Sequence, residues 1–198
     1  MTPERREKLT SVLSKRQADL TVVMENVHDP HNISAVMRTC ESVGIQDIYV
    51  LTTIMPRHKR FGVKSSSSAA KWLTIHQYTD AVDCFTALRR NYDTILATHL
   101  AADSIGLYEI DFTKRIALVF GNEHDGVSDE IRAMADGNFI IPQMGIIQSL
   151  NISVACAVAV YEALRQKKTA GHYEKTSLPA ERVNLLLKEW GFTENDLK

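Results

Sequence analysis

The sequence predicts an α/β fold: a mainly parallel sheet covered by helices on both faces. Two observations point to it. Short apolar runs that read as buried strands alternate with longer stretches of helical periodicity. That alternation is the signature of parallel strands joined by crossover helices. A chain of 198 residues is also long enough for one well-cored domain with short appendages.

Taken in order, Pro3–Ala18 has a helical pattern with few apolar positions, and Leu20–Glu25 reads as a strand. Ile33, Val36, Met37 and Cys40 fall at i, i+3, i+4, i+7 and define a helix over Ile33–Val43. Asn32 is placed as its N-cap and Gly44 as its stop. Asp47–Leu51 and Leu73–His76 follow as strands. Ser65–Ser68 between them reads as a loop, either mobile or touching phosphate. Helix Asp80–Asn91 leads to strands Thr94–Thr98 and Ile116–Phe120. Ser128 caps a helix over Asp129–Ala135, and Phe139–Ile141 is the last strand. Helical patterns over Leu150–Lys167 and Pro179–Trp190 close the chain. The expected organisation is a basic helical extension at 1–18, a main domain at 19–168 and a helical tail at 169–198.

Composition narrows the class. The chain is 44% hydrophobic and 24% charged, ordinary for a globular protein. Its N-terminus, MTPERREKL, has no apolar core of a signal peptide, and no apolar run approaches the roughly 18 residues of a membrane helix. A cytoplasmic protein with no membrane association is expected. Cys40, Cys84 and Cys156 sit in apolar helical contexts and read as core residues in a reducing compartment. No cysteine or histidine pair has zinc spacing, so no metal is expected.

The net charge of −1 argues against a surface that coats nucleic acid throughout. The charge is unevenly spread, however. Arg5, Arg6, Lys8, Lys15 and Arg16 outnumber Glu4 and Glu7 near the start. Arg57, Lys59, Arg60, Lys64 and Lys71 lie in a stretch without acids, and Arg165, Lys167 and Lys168 cluster later. Each patch is either a phosphate grip or a solvated face.

Three constellations carry chemistry. The first is Asp29-Pro30-His31-Asn32 through Arg38, just past a strand. At about 100° per residue, Arg38 points away from its helix's apolar face. The second is Phe120-Gly121-Asn122-Glu123 through Gly126, again past a strand end, where ligands of open α/β sheets collect. The third is Ile141-Pro142 through Ser149-Leu150-Asn151, a loop that is apolar where loops are normally polar. Met144, Ile146 and Ile147 there read equally as pocket walls or as a packed start to the next helix. No GxGxxG follows a strand and no GxxxxGK[ST] occurs, so a nucleotide-like cofactor would need another binding device.

These three segments, in this order and spacing, strongly resemble the motifs of the SpoU/TrmH family of SPOUT methyltransferases. Asn32 with Arg38 matches the first motif, Phe120-Gly121-Asn122-Glu123 with Gly126 the second, and Ile141-Pro142 to Ser149-Leu150-Asn151-Ile152-Ser153 the third. The basic N-terminal segment, Lys71-Trp72 and the Gly171-His172-Tyr173 to Trp190 tail look like the branch that methylates the 2′-hydroxyl of guanosine 18 in tRNA. The resemblance implies an α/β knot, a deep trefoil near the C-terminus. It implies S-adenosyl-L-methionine as cofactor, held near Thr98, Leu100, Gly121, Ile141, Met144, Ser149 and Leu150. It implies tRNA as partner, and a homodimer whose active site is completed by the second subunit. Arg38, Asn32, Glu123, Ser149 and Asn151 would then be the catalytic set. Arg5, Arg6, Arg16, Arg60, Lys64, Arg165 and Lys168 are the candidates for phosphate contact. The Ser-rich Arg60–Ala70 loop departs from the Asn/Thr- and Gly-rich versions of the family, and the alternatives are another tRNA position or ribosomal RNA as target, or a non-catalytic RNA-binding protein with the same fold.

Overall fold

The computed structural model describes residues 1–57, 69–147 and 149–193. Its strands are β1 (Leu20–Glu25), β2 (Asp47–Leu51), β3 (Thr74–Tyr78), β4 (Thr94–Thr98), β5 (Ile105–Gly106), β6 (Ile116–Phe120) and β7 (Gly137–Ile140). They form one 7-stranded sheet in the order β3-β2-β1-β6-β4-β7-β5, and every pairing is parallel. The helices are α1 (Pro3–Leu13), α2 (Pro30–Ser42), α3 (Ala81–Arg89), α4 (Asp129–Met134), α5 (Ile152–Thr169) and α6 (Ala180–Glu189). The chain builds outward from β1 to β3, then jumps across to β4 on the far side of β6. That reversal opens a crevice at the carboxyl ends of the central strands.

The central strands β1 and β6 are buried throughout and mostly apolar because both faces are covered. Leu20, Val22 and Met24 of β1 join Leu118 and Phe120 of β6 beneath α2 and α5. Val23, Ala117 and Val119, one residue out of step, join Ala81, Cys84, Phe85 and Leu88 of α3 and Ile131 of α4 on the other face. The period of two along each strand therefore sorts side chains into two cores. Cys40 of α2 and Cys156 of α5 meet inside the first core, where their mutual hydrogen bond and burial push the Cys156 thiol up. Both are packing residues of the core.

Three boundaries differ from the sequence reading. Helix α2 begins earlier, because Asp29, not Asn32, is its N-cap: the Asp29 side chain accepts from the His31 N–H at 2.8 Å, with Pro30 in the first turn. Asn32 thus sits inside the first turn, its side chain released from capping. Strand β5 is two residues long, too short to leave a pattern in the sequence. Helix α1 ends at Leu13 rather than at Ala18. The stop of α2 falls at Gly44, as expected. Gly44 lies at φ +85°, the Ile45 N–H donates to the Cys40 carbonyl at 3.0 Å, and the Gly44 N–H donates to the Glu41 carbonyl at 3.1 Å. This is a Schellman cap, and a Cβ at Gly44 would lie 2.7 Å from the Lys15 carbonyl oxygen.

The two terminal helices were expected as separate appendages, but they pack on each other. Leu9 and Leu13 of α1 meet Leu178, Leu186, Trp190 and Phe192, with Trp72 edge-on to Trp190 at 5.3 Å. Arg16 is fully buried at this junction. It donates to Glu41 Oε1 at 2.9 Å and to the Ile45 carbonyl at 3.1 Å, and its guanidinium lies 5.4 Å from the Trp190 ring. The reading of Arg16 as a phosphate contact is therefore corrected: an inward-facing guanidinium that stitches the extension to the domain is not available to RNA. Lys167 is likewise buried, paired with Asp19 at 2.8 Å, which removes it from the late basic cluster.

Arg16→Ala should cost about 3 kcal/mol of stability, because it leaves Glu41 unpaired and carbonyls unsatisfied. Arg5→Ala and Arg6→Ala, on the exposed face of α1, should leave the urea midpoint within experimental error of wild type. Equal midpoints for all three variants would contradict this assignment.

Candidate active site

The connections that follow β4, β6 and β7, with the start of α5, line a cavity of about 640 Å³. Thr98, Leu100, Gly121, Ile141, Met144, Ser149 and Leu150 all line it, as does Glu123. The apolar loop of the third constellation is thus resolved as a pocket wall. Met144 and Ile147 are 96% and 73% exposed yet border the cavity, whereas Ile146, fully exposed, does not.

The turn carrying Glu123 is built by glycine and asparagine. A Cβ on Gly121 would meet the Gly126 carbonyl carbon at 1.9 Å, so the chain can close on itself there only without a side chain. Asn122 and Gly126 exchange backbone hydrogen bonds at 3.1 and 3.2 Å. The Asn122 side chain accepts from the His124 and Asp125 N–H groups, both at 2.8 Å. Glu123 is left at the tip, exposed and facing α2.

Hydrogen bonds join the three constellations. Asn32 Nδ2 donates to Glu123 Oε1 at 2.6 Å, and Asn151 Nδ2 donates to Asn32 Oδ1 at 3.2 Å. Asn151 caps α5, accepting from the Ser153 N–H at 2.9 Å and from Ser153 Oγ at 2.6 Å. An amide is suited to the middle position, since it donates and accepts at once. Arg38 is exposed two turns along α2, outside the cavity lining. The structure therefore brings Asn32, Glu123 and Asn151 together and sets Ser149 with Glu123 in the cavity wall, while Arg38 is not among the lining residues.

Two supporting residues escaped the sequence reading. Glu25, at the end of β1, is buried, and its Oε2 accepts from the Ser128 N–H at 3.0 Å. Burial pushes its carboxyl up, and the Ser128 hydrogen bonds oppose that. Asn26 follows in the left-handed region at φ +49°, and its side chain bridges to Thr53 at 2.9 Å (Oγ1) and 2.8 Å (N–H). The pair anchors the Glu123 turn on one side and the segment after β2 on the other. A charged residue ending an otherwise apolar strand was the available signal.

Of the phosphate candidates, Arg5, Arg6 and Lys168 are exposed. Arg165 is exposed but held by Glu162 through two 2.8 Å hydrogen bonds. Arg60, Lys64 and the Ser65–Ser68 loop lie outside the described residues. Among the described residues no cluster of three His, Cys, Asp or Glu could hold a metal ion.

The fold and this site define a methylase of the SpoU class. The model of the SpoU rRNA Methylase family matches residues 19–161, and the chain belongs to that family. It is 40% identical over 96% of its length, and 96% of the relative's, to the tRNA (guanosine(18)-2′-O)-methyltransferase of Thermus thermophilus. It superposes on the A. aeolicus TrmH/SpoU tRNA modifying enzyme with a TM-score of 0.87, at 38% identity and with 94% of each chain covered. The SpoU methyltransferase AviRb of Streptomyces viridochromogenes, in complex with the cofactor AdoMet, matches with a TM-score of 0.67 and 25% identity, covering 79% of this chain and 62% of that one.

Asn32→Ala should uncouple the three loops without unfolding the protein, because the tie is exposed and the cores are untouched. Amide exchange at residues 122–125 and 152–153 should quicken, while exchange in β1 and β6 stays unchanged. Unaltered exchange in both loops would show that the tie holds nothing in place.

Proposed function

We propose that this protein transfers a methyl group from S-adenosyl-L-methionine to a ribose 2′-hydroxyl of tRNA, with guanosine 18 of the D-loop as the target. One observation carries the reading: Asn32, Glu123 and Asn151 are hydrogen-bonded together at the mouth of an apolar-walled cavity. The cavity fits the cofactor. Leu100, Ile141, Met144 and Leu150 offer apolar walls for a purine, and Thr98 and Ser149 add hydroxyls. The tight turn closed at Gly121 puts backbone groups of residues 121–126 into the cavity wall, which suits a cofactor held without a GxGxxG fingerprint.

When bound, the cofactor supplies an electrophilic methyl on a sulfonium. The 2′-oxygen would take that methyl as the carbon–sulfur bond breaks with its electrons going to sulfur, and the hydroxyl proton would pass to solvent water. Glu123 and Asn151 aim the hydroxyl, and Asn32 holds both. Ser149 borders the same space. Arg38 only donates hydrogen bonds, so it orients the ribose and grips a flanking phosphate rather than taking the proton. Positioning of the attacking oxygen at about 3 Å from the methyl carbon supplies much of the acceleration.

Arg38 is exposed and is not among the cavity-lining residues, and in a homodimer it would serve the partner's cavity. Val154 and Tyr161, 48% and 51% exposed and two turns apart on α5, offer the apolar face for that contact. The 99–104 connection crosses the end of β7, since β4 and β5 flank that strand. A trefoil knot formed as the chain leaves β7 under that connection fits this order. Arg5, Arg6, Arg165 and Lys168 are the candidate phosphate contacts, and the cytoplasm is the expected place of action.

Labelled S-adenosyl-L-methionine incubated with total tRNA and ribosomal RNA should mark tRNA, at guanosine 18 after nuclease mapping. A transcript with 2′-deoxyguanosine there should accept no label. Label confined to ribosomal RNA would refute the target. Arg38→Ala should abolish turnover and leave calorimetric cofactor binding intact. Binding of tRNA should weaken steeply with added salt, as phosphate-dominated contacts do.

A further inference from the structure

We infer that His99 contacts the cofactor, donating a hydrogen bond from Nδ1, and that Arg132 is the residue that positions it for this. The inference rests on the methyl-donor reading of the cavity above. His99 follows Thr98 and precedes Leu100, and all three line the cavity. Its Nε2 lies 2.7 Å from NH1 of Arg132 on α4. A guanidinium carries donors only. Nε2 must therefore accept, and the ring proton sits on Nδ1. Among the described residues, Nδ1 has no hydrogen-bond partner.

The surroundings hold the ring in this state. The His99 N–H donates to the Phe139 carbonyl at 3.2 Å, and its carbonyl accepts from Ser104 Oγ at 2.8 Å. Arg132 is itself paired with Asp129 through its other terminal nitrogen. Backbone and ring are thus tied from three directions, and one N–H remains on a half-buried side chain of a largely apolar cavity. A donor so placed is costly unless an acceptor reaches it. On the cofactor the acceptors are the carboxylate of the amino-acid half and the ribose oxygens and purine nitrogens of the adenosine half.

The test uses the full-length protein and S-adenosylhomocysteine as the probe. His99→Phe keeps a flat ring and removes both nitrogens. It should weaken binding in calorimetry about tenfold, with the melting temperature and tRNA affinity unchanged. His99→Asn, whose amide N–H lies near the Nδ1 position, should recover binding to within about threefold. His99→Gln, whose amide lies near Nε2, should not. 5′-Methylthioadenosine, which lacks the amino-acid half, assigns the acceptor: a matching loss with His99→Phe puts it on the adenosine half, and no loss puts it on the carboxylate. Nitrogen-15 spectra of the wild type should show the Nδ1–H tautomer for His99, and Arg132→Met should erase that preference. Wild-type affinity in His99→Phe, or an Nε2–H tautomer in the wild type, overturns the inference while leaving the methyl-donor reading standing. Failure of the wild type to bind either S-adenosylhomocysteine or S-adenosyl-L-methionine overturns both.

Discussion

Asn32 donates to Glu123 and accepts from Asn151, and the organisation of the site depends on that one side chain. Its partners lie 91 and 119 residues away along the chain. No local interaction can bring such groups together. The sheet does it, because parallel strands deliver every strand-to-helix connection to the same edge. β1, β6 and β7 each release a loop there, and a single amide ties the three. An amide serves where a charge would not: a lysine could not accept from Asn151, and a carboxylate would repel Glu123.

The same edge is stiffened from below. Glu25 fixes the backbone of Ser128 at the far end of the Glu123 turn, and Asn26 fixes Thr53 after β2. Burying a carboxyl and placing a non-glycine residue at positive φ both cost free energy. Those costs are sustained by two large cores, one on each face of the sheet, which hold β1 and β6 fully buried. Precision at the edge is thus underwritten by packing in the centre. The opposite edge carries a different load, since there Arg16 on Glu41 and His172 on Asp19 hold the terminal segments to the domain, and Lys167 pairs with the same Asp19 from within it.

Much of this was legible beforehand. Strands and helices were predicted to within a few residues because both-face burial and a 3.6-residue period leave strong marks on a sequence. Among the cavity residues, Thr98 and Leu100 were legible only through resemblance, since they have no motif of their own. Arg16 was misread because a basic residue among basic neighbours has the composition of a phosphate grip, and nothing local reveals that Glu41 and Ile45 wait for it. The cap of α2 was misplaced by three residues because Asp29 and Asn32 are both good capping residues, and only backbone geometry chooses between them.

The sequence by itself determined the periods, the breaks and the chemical inventory: which runs are strands, where glycine must sit, and which amides, acids and hydroxyls stand at strand ends. These follow from short-range sterics and from hydrophobic patterning, which any stretch of chain carries with it. Only the tertiary structure decided that Asn32 is a bridge rather than a cap, that Arg16 and Lys167 face inward, that His99 meets Arg132, and that an apolar loop is the wall of a cavity. Each of those outcomes depends on what arrives from a distant part of the chain, and that is settled by the order of strands in the sheet.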